Sequence, residues 1–215
     1  MTASEKAVAA PLTRAALRAL TFKDGEVAGA PEGGLGVQDP VPEKEQRSFP
    51  PVADRACRTM LDIRNGRGAS VVVLQVFNWE GDIWGGGSTL AAYEDGKAEQ
   101  AFAQLQQALA SCHSYEDTGW AGKFKARLTM EQAPGVGDEA VRFHETIPMG
   151  PVPPGDREEQ FTVVRAGNAI VTFQKLNVGG SASFPEDLVG RQVERLQNAQ
   201  RAPADSGLVR PEQPG

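Results

Sequence analysis

Residues that carry chemistry are scarce in this chain. Its 215 residues include two cysteines, two histidines and three tryptophans. With His113 and His144 far apart, and neither H-E-x-x-H nor C-x-x-C spacing present, no dedicated zinc site or other metal site is expected, and no cofactor is implied. Cationic residues are also outnumbered, 22 Lys and Arg against 28 Asp and Glu for a net charge of -6, and no basic run exceeds two residues. Nucleic acid and anionic membrane are therefore excluded as expected partners. Long apolar runs are missing as well. Val71 to Leu74 is cut at once by Gln75, far short of the roughly 18 residues of a membrane span. The opening Met1-Thr2-Ala3-Ser4-Glu5-Lys6 is polar with no apolar stretch behind it, so it reads either as a cytosolic start or as a mature chain whose signal has been removed. No internal repeat is apparent.

What is present organises into one body with extensions. Residues 1–10 are expected to be disordered, as are residues 201–215, where Pro203, Gly207, Pro211 and Pro214 break any periodicity. Residues 11–50 read as a short helix, with Pro11 in its first turn and Leu12, Leu17 and Leu20 on one side, followed by an irregular arm rich in Gly and Pro. The body, residues 51–200, begins with a helix from Pro51 to Leu61, the turn Asn65-Gly66-Arg67-Gly68 and a Val-rich central strand from Ser70 to Trp79. After Glu80-Gly81-Asp82 the chain turns back through Gly85-Gly86-Gly87, glycines that indicate a bulge or a close backbone approach. Glu94 to Ser111 is the strongest helix by pattern and by its Ala, Gln and Leu content. Phe124, Ala126, Leu128 and Met130 then alternate with Lys125, Arg127, Thr129 and Glu131, and Val141, Phe143 and Ile147 repeat the period. Phe161 to Arg165 and Ala169 to Val178 flank Ala166-Gly167-Asn168 as a second hairpin. Ser183-Phe184-Pro185-Glu186 reads as the N-cap, proline and capping-box glutamate of a last helix. The expected fold class is α+β, a single domain with an antiparallel β-sheet meander packed against helices.

No catalytic set emerges. Cys112 and His113 are adjacent, but neighbouring side chains on a helix end diverge and form no dyad. Ser88 and Ser181 lie outside any G-x-S-x-G elbow, and Gly85-Gly86-Gly87-Ser88-Thr89 lacks the lysine and following helix of a phosphate loop. Ligand-binding candidates come instead from two groups. Lys125, Arg127, Arg142 and His144 alternate outward on the meander and could converge as a cationic patch, partly neutralised by Glu131 and Glu145, although the ordinary reading of such a face is solvated sheet. Trp79, Trp84 and Trp120 read as core or rim packing, or as a platform for stacking a ligand. Cys112 continues the apolar stripe of Ala98, Phe102, Leu105 and Leu109, and Cys57 sits among Ala53, Met60 and Leu61. The two cysteines read as one bridge or as two separate buried thiols, since periodicity does not set their separation.

Several features occur together in order: Cys57 on a helix before a Val-rich strand, and Ala101-Phe102 through Leu109-Ala110-Ser111-Cys112 ending a second helix. They are followed by Gly135-Val136-Gly137-Asp138-Glu139-Ala140 and by Gly167-Asn168-Ala169-Ile170-Val171 before the last helix. With the opening Pro11-Leu12-Thr13-Arg14-Ala15-Ala16-Leu17, they resemble the actinobacterial group of secreted or lipid-anchored sensor-domain proteins related to the extracellular domain of the mycobacterial serine/threonine kinase PknH. The resemblance runs over residues 11–200. It implies an antiparallel sheet with helices on one side, a cleft for an unidentified small molecule, export, and a disulfide between Cys57 and Cys112. The chain departs from the kinase sensor in having a single cysteine pair, with Leu176-Asn177-Val178 where that sensor carries a further cysteine, and in lacking a kinase domain. The expected function is a non-catalytic, extracytoplasmic ligand-binding or sensor module, the mature part of a lipoprotein. Its partner would be a small molecule or a cell-envelope protein, with the membrane engaged only through a lost lipid anchor. The alternatives are a secreted hydrolase and a structural envelope protein acting through an interface.

Overall fold

Alternating apolar and polar residues in the second half of the chain pair as consecutive antiparallel strands. The computed structural model describes residues 12–42, 51–119, 122–149 and 155–201. The expectations for residues 1–10, for the tail after Arg201 and for Trp120 lie outside the described residues. Strands β4 (Ser114–Gly119), β5 (Gly122–Glu131), β6 (Glu139–Pro148), β7 (Asp156–Ala166) and β8 (Ala169–Val178) form the meander. Strands β1 (Leu35–Gln38), β2 (Val71–Phe77) and β3 (Gly86–Ala92) complete one eight-stranded sheet in the order β1-β2-β3-β8-β7-β6-β5-β4. The two halves join where β3 pairs with β8, from Ala92 opposite Ala169 to Gly86 opposite Lys175. The α+β class expected from the pattern is the observed one.

Helices cover both faces, which corrects the one-sided arrangement implied by the resemblance. On the first face lie α2 (Arg55–Arg64) and α3 (Lys97–Ser111); on the second lie α1 (Arg14–Leu20) and α4 (Glu186–Arg201). The reason is visible in β7 and β8. Val163 and Ile170 enter the first core while their neighbours Val164 and Val171 enter the second. A strand read this way needs apolar residues at successive positions, which its sequence supplies.

Local chemistry sets the helix boundaries. The Asp54 carboxylate accepts the Cys57 amide at 2.8 Å, so α2 starts at Arg55 and not at Pro51. It stops at Arg64 because Gly66 turns the chain with φ +74°, and a Cβ there would stand 3.0 Å from Val72 and 3.3 Å from Ala91. Cys57 and Cys112 are bonded, with Cα atoms 5.0 Å apart, tying the start of α2 to the end of α3. At α4, Glu186 does not close a capping box. Its carboxylate accepts from Arg142 Nη1 at 2.6 Å, and the first helical bond runs from the Val189 amide to the Pro185 carbonyl. Part of the expected irregular arm is strand β1, whose Gly and Pro neighbours are tolerated because it sits at the sheet edge.

Candidate functional site

The first face is only partly covered, and the uncovered part forms a cleft. Past the last turn of α2 the sheet presents Leu74 and Val76 from β2, Gly87 and Thr89 from β3, and Thr172 and Gln174 from β8. Arg64, Phe161 and the Pro40-Val41 segment form its sides, enclosing about 470 Å³. Gly87 leaves the floor open, since a Cβ there would meet only the Gln75 carbonyl at 3.6 Å. The three adjacent glycines thus have different roles. Gly85 turns the chain at φ +59°, Gly86 makes room for the Trp79 ring, which a Cβ would approach to 2.8 Å, and Gly87 empties the cleft.

Arg64 is the polar feature of this cleft. Its guanidinium lies 4.1 Å over the Phe161 ring, and Nη1 donates to Glu145 Oε1 at 2.5 Å. The same Glu145 oxygen accepts from the Tyr115 hydroxyl at 2.9 Å. Burial, then the Glu145 charge, pushes the Tyr115 phenol above its ordinary pKa, which keeps it a donor. Arg64 Nε is buried with no partner among the described residues. Glu159, the cross-strand neighbour of Glu145, accepts from Gln174 Nε2 at 2.8 Å and pairs with Arg157. Burial raises its pKa, while Arg157 and Arg64 pull it back. The two carboxylates are 1% and 3% exposed, each closed by its own arginine, so they back the cleft floor without opening onto it. What faces the cleft is aliphatic carbon, the Phe161 ring, two threonines, Asn65, a glutamine and a guanidinium, a set suited to holding a molecule by shape plus a few hydrogen bonds.

The residues singled out from sequence do not converge there. Trp79 is half-buried on the second face, stacked on Phe77 at 5.6 Å and edge-on to Phe184 at 5.8 Å, beside the Lys175–Asp82 ion pair. Trp84, 39% exposed, sits in the β2–β3 turn, where Asp82 accepts its amide. Arg142 was expected on an outward face; α4 covers it, and it is held by Thr162 and Glu186. His144 contacts Glu131 at 3.0 Å. Arg127 and Lys125 remain exposed on β5. Arg64 and Gln174 escaped the sequence reading. A signal for them exists in β8, where Ile170, Thr172 and Gln174 share one face and turn from apolar to polar midway.

No family model and no curated protein matches the chain. Among solved structures, it is similar to a STAR-related lipid transfer protein (fragment 25–204) from Xanthomonas axonopodis, with 13% identity over 72% of this chain and 94% of that one, at a TM-score of 0.31. Superposition at that level carries no argument about ligand or mechanism.

Proposed function

We propose that this protein is a non-catalytic binding module, acting outside the cytoplasm, that holds a small molecule with an apolar body and a hydrogen-bond acceptor in the cleft beside Arg64. The observation that carries the reading is the half-covered face itself: an aliphatic floor emptied by Gly87 and edged by the Arg64 guanidinium, whose buried Nε has no partner among the described residues. Because Glu145 already balances the Arg64 charge, a carbonyl or hydroxyl acceptor suits the site better than a second full anion. The resemblance to exported sensor-domain proteins and the Cys57–Cys112 bridge both favour an oxidising compartment.

Gly87→Val tests the binding role. Valine suits a strand, and the extended backbone at this position accepts a side chain that would fill the cleft. Protein purified from its native host is expected to carry a bound small molecule detectable by native mass spectrometry, and the variant is expected to lose it. Equal occupancy in both would sink the cleft as the binding site. Intact mass with and without thiol alkylation tests the compartment. Two freely alkylated cysteines in native protein would remove the case for export.

A further inference from the structure

The second face is also left partly open, at the other end of the sheet. Helices α1 and α4 pack over β2, β3, β8 and β7, the start of α4 reaches Arg142 on β6, and over β5 and β4 that face has no helix among the described residues. There β5 places Lys123, Lys125 and Arg127 at alternate positions, all exposed and therefore on one side, about 7 Å apart. Their cross-strand neighbours offer little compensation: Thr118, Glu116 and Ser114 on β4, and Thr146 opposite Arg127 on β6.

Elsewhere most of the described arginines meet a carboxylate, and Arg58 and Arg201 are held by carbonyl or amide oxygens instead. Arg64, Arg142, Arg157, Arg165 and Arg195 each meet a carboxylate. In a protein with an acidic surplus, a row of three cations with one acid beside it stands apart. None of the three forms an ion pair among the described residues. Like charges aligned on a strand face repel, a cost that a bound anion relieves. His113, just before β4, joins Ser114, Lys125, Arg127, Thr129 and Thr146 around a concavity of about 430 Å³ whose lining contains no carboxylate.

We infer that this concavity is an oxyanion site, taking a phosphate or sulfate group. Arg127 supplies a planar fork for two oxygens, Lys125 a point charge, and the Ser114 and Thr129 hydroxyls further donors, while the Thr146 hydroxyl already donates to Glu158 at 3.0 Å. Lys123 extends the row toward the β4–β5 turn, so a chain bearing repeated oxyanions would be held at successive positions. The site shares no residue with the cleft beside Arg64, and it stands or falls separately from it.

The test is a titration of isotope-labelled protein, followed by amide chemical shifts, with inorganic phosphate and separately with linear polyphosphate. Saturable shifts confined to residues 113–116, 125–129 and 146 are expected. Lys125→Ser with Arg127→Ser should weaken binding by about tenfold or more, whereas Glu116→Gln should tighten it. These side chains are exposed, and an unchanged melting temperature verifies that the variants fold. Gly87→Val should leave both titrations untouched. Tight polyphosphate with weak phosphate assigns the site to an anionic polymer, and equal affinity per group assigns it to a free anion. Shifts scattered over the basic surface and indifferent to the double substitution would overturn the inference.

Discussion

The two faces of the sheet are closed by different means. On the second face Phe22, Phe77, Trp79, Phe173 and Phe184 contact one another with ring centroids 5.1 to 5.9 Å apart, and α1 and α4 bury all of them but Trp79, which stays half-buried beside a concavity of about 400 Å³. On the first, a helix pair held by a disulfide stops at Gly66, and beyond it the sheet carries threonine, glutamine and buried charge. Interlocked rings fill space in every direction. A helix that ends early leaves a floor, and polar residues on that floor are tolerable because water or a ligand can reach them. In this molecule the proposed binding site begins where packing stops.

Substitutions on each side sharpen the contrast. The largest expected effect is on the ring cluster: Phe77→Ala, at a fully buried position, should cost about 3 to 5 kcal/mol in urea denaturation, and a loss below about 1 kcal/mol would show the rings to be loosely packed. Removing both Cys57 and Cys112, 55 residues apart, should cost up to about 4 kcal/mol and also weaken ligand retention, because Arg64 rides on the tethered helix. Unchanged stability in reductant would refute the tether. Arg64→Met alone should cost about 3 kcal/mol by stranding the buried Glu145, and Arg64→Met with Glu145→Met should recover most of it; equal losses would break the argument from buried charge.

The smallest effect is in pH dependence, where the faces differ in sign. On the second face, the hydrogen bond from Arg195 holds Glu26 below its ordinary 4.5, so its contribution is complete above that value and is lost as pH falls through the depressed pKa. On the first face burial holds Glu159 above 4.5, so its contribution is complete below that value and is lost as pH rises through the raised pKa. Melting temperatures across pH should therefore flatten on the acid side in Glu26→Gln and on the opposite side in Glu159→Gln. The same profile in both variants would contradict this assignment.

Most of the architecture is legible in the sequence because periodicity reports it. The stripe from Ala98 to Leu109, the alternation from Phe124 to Met130 and the turn Ala166-Gly167-Asn168 each mark an observed element. Strand β4 is not legible: Tyr115 is its one large apolar residue, and its other positions are polar or glycine. The covering of both faces is written in the doubly apolar runs of β2, β7 and β8, which a central strand in any layered arrangement would share. The cleft is harder still, because Arg64 acquires its role from where α2 ends over the sheet. Arg142 shows the opposite failure: alternation places it outward, and α4 then lies across it.

The junction between β3 and β8 bears on the order in which the molecule assembles. Helix α2 from Cys57 onward, the β2–β3 hairpin and α3 all lie within the span from Cys57 to Cys112, so the bridge closes around residues that emerge together from the ribosome. Strand β3 finds its second neighbour only once β8 has been made, far later in the chain. Long-range pairing of this kind slows folding and leaves an unpaired edge in the interval. We expect pulsed hydrogen exchange to show amides of β2 and of the β7–β8 hairpin protected before those on the β3 side facing β8; simultaneous protection would argue for a single concerted step.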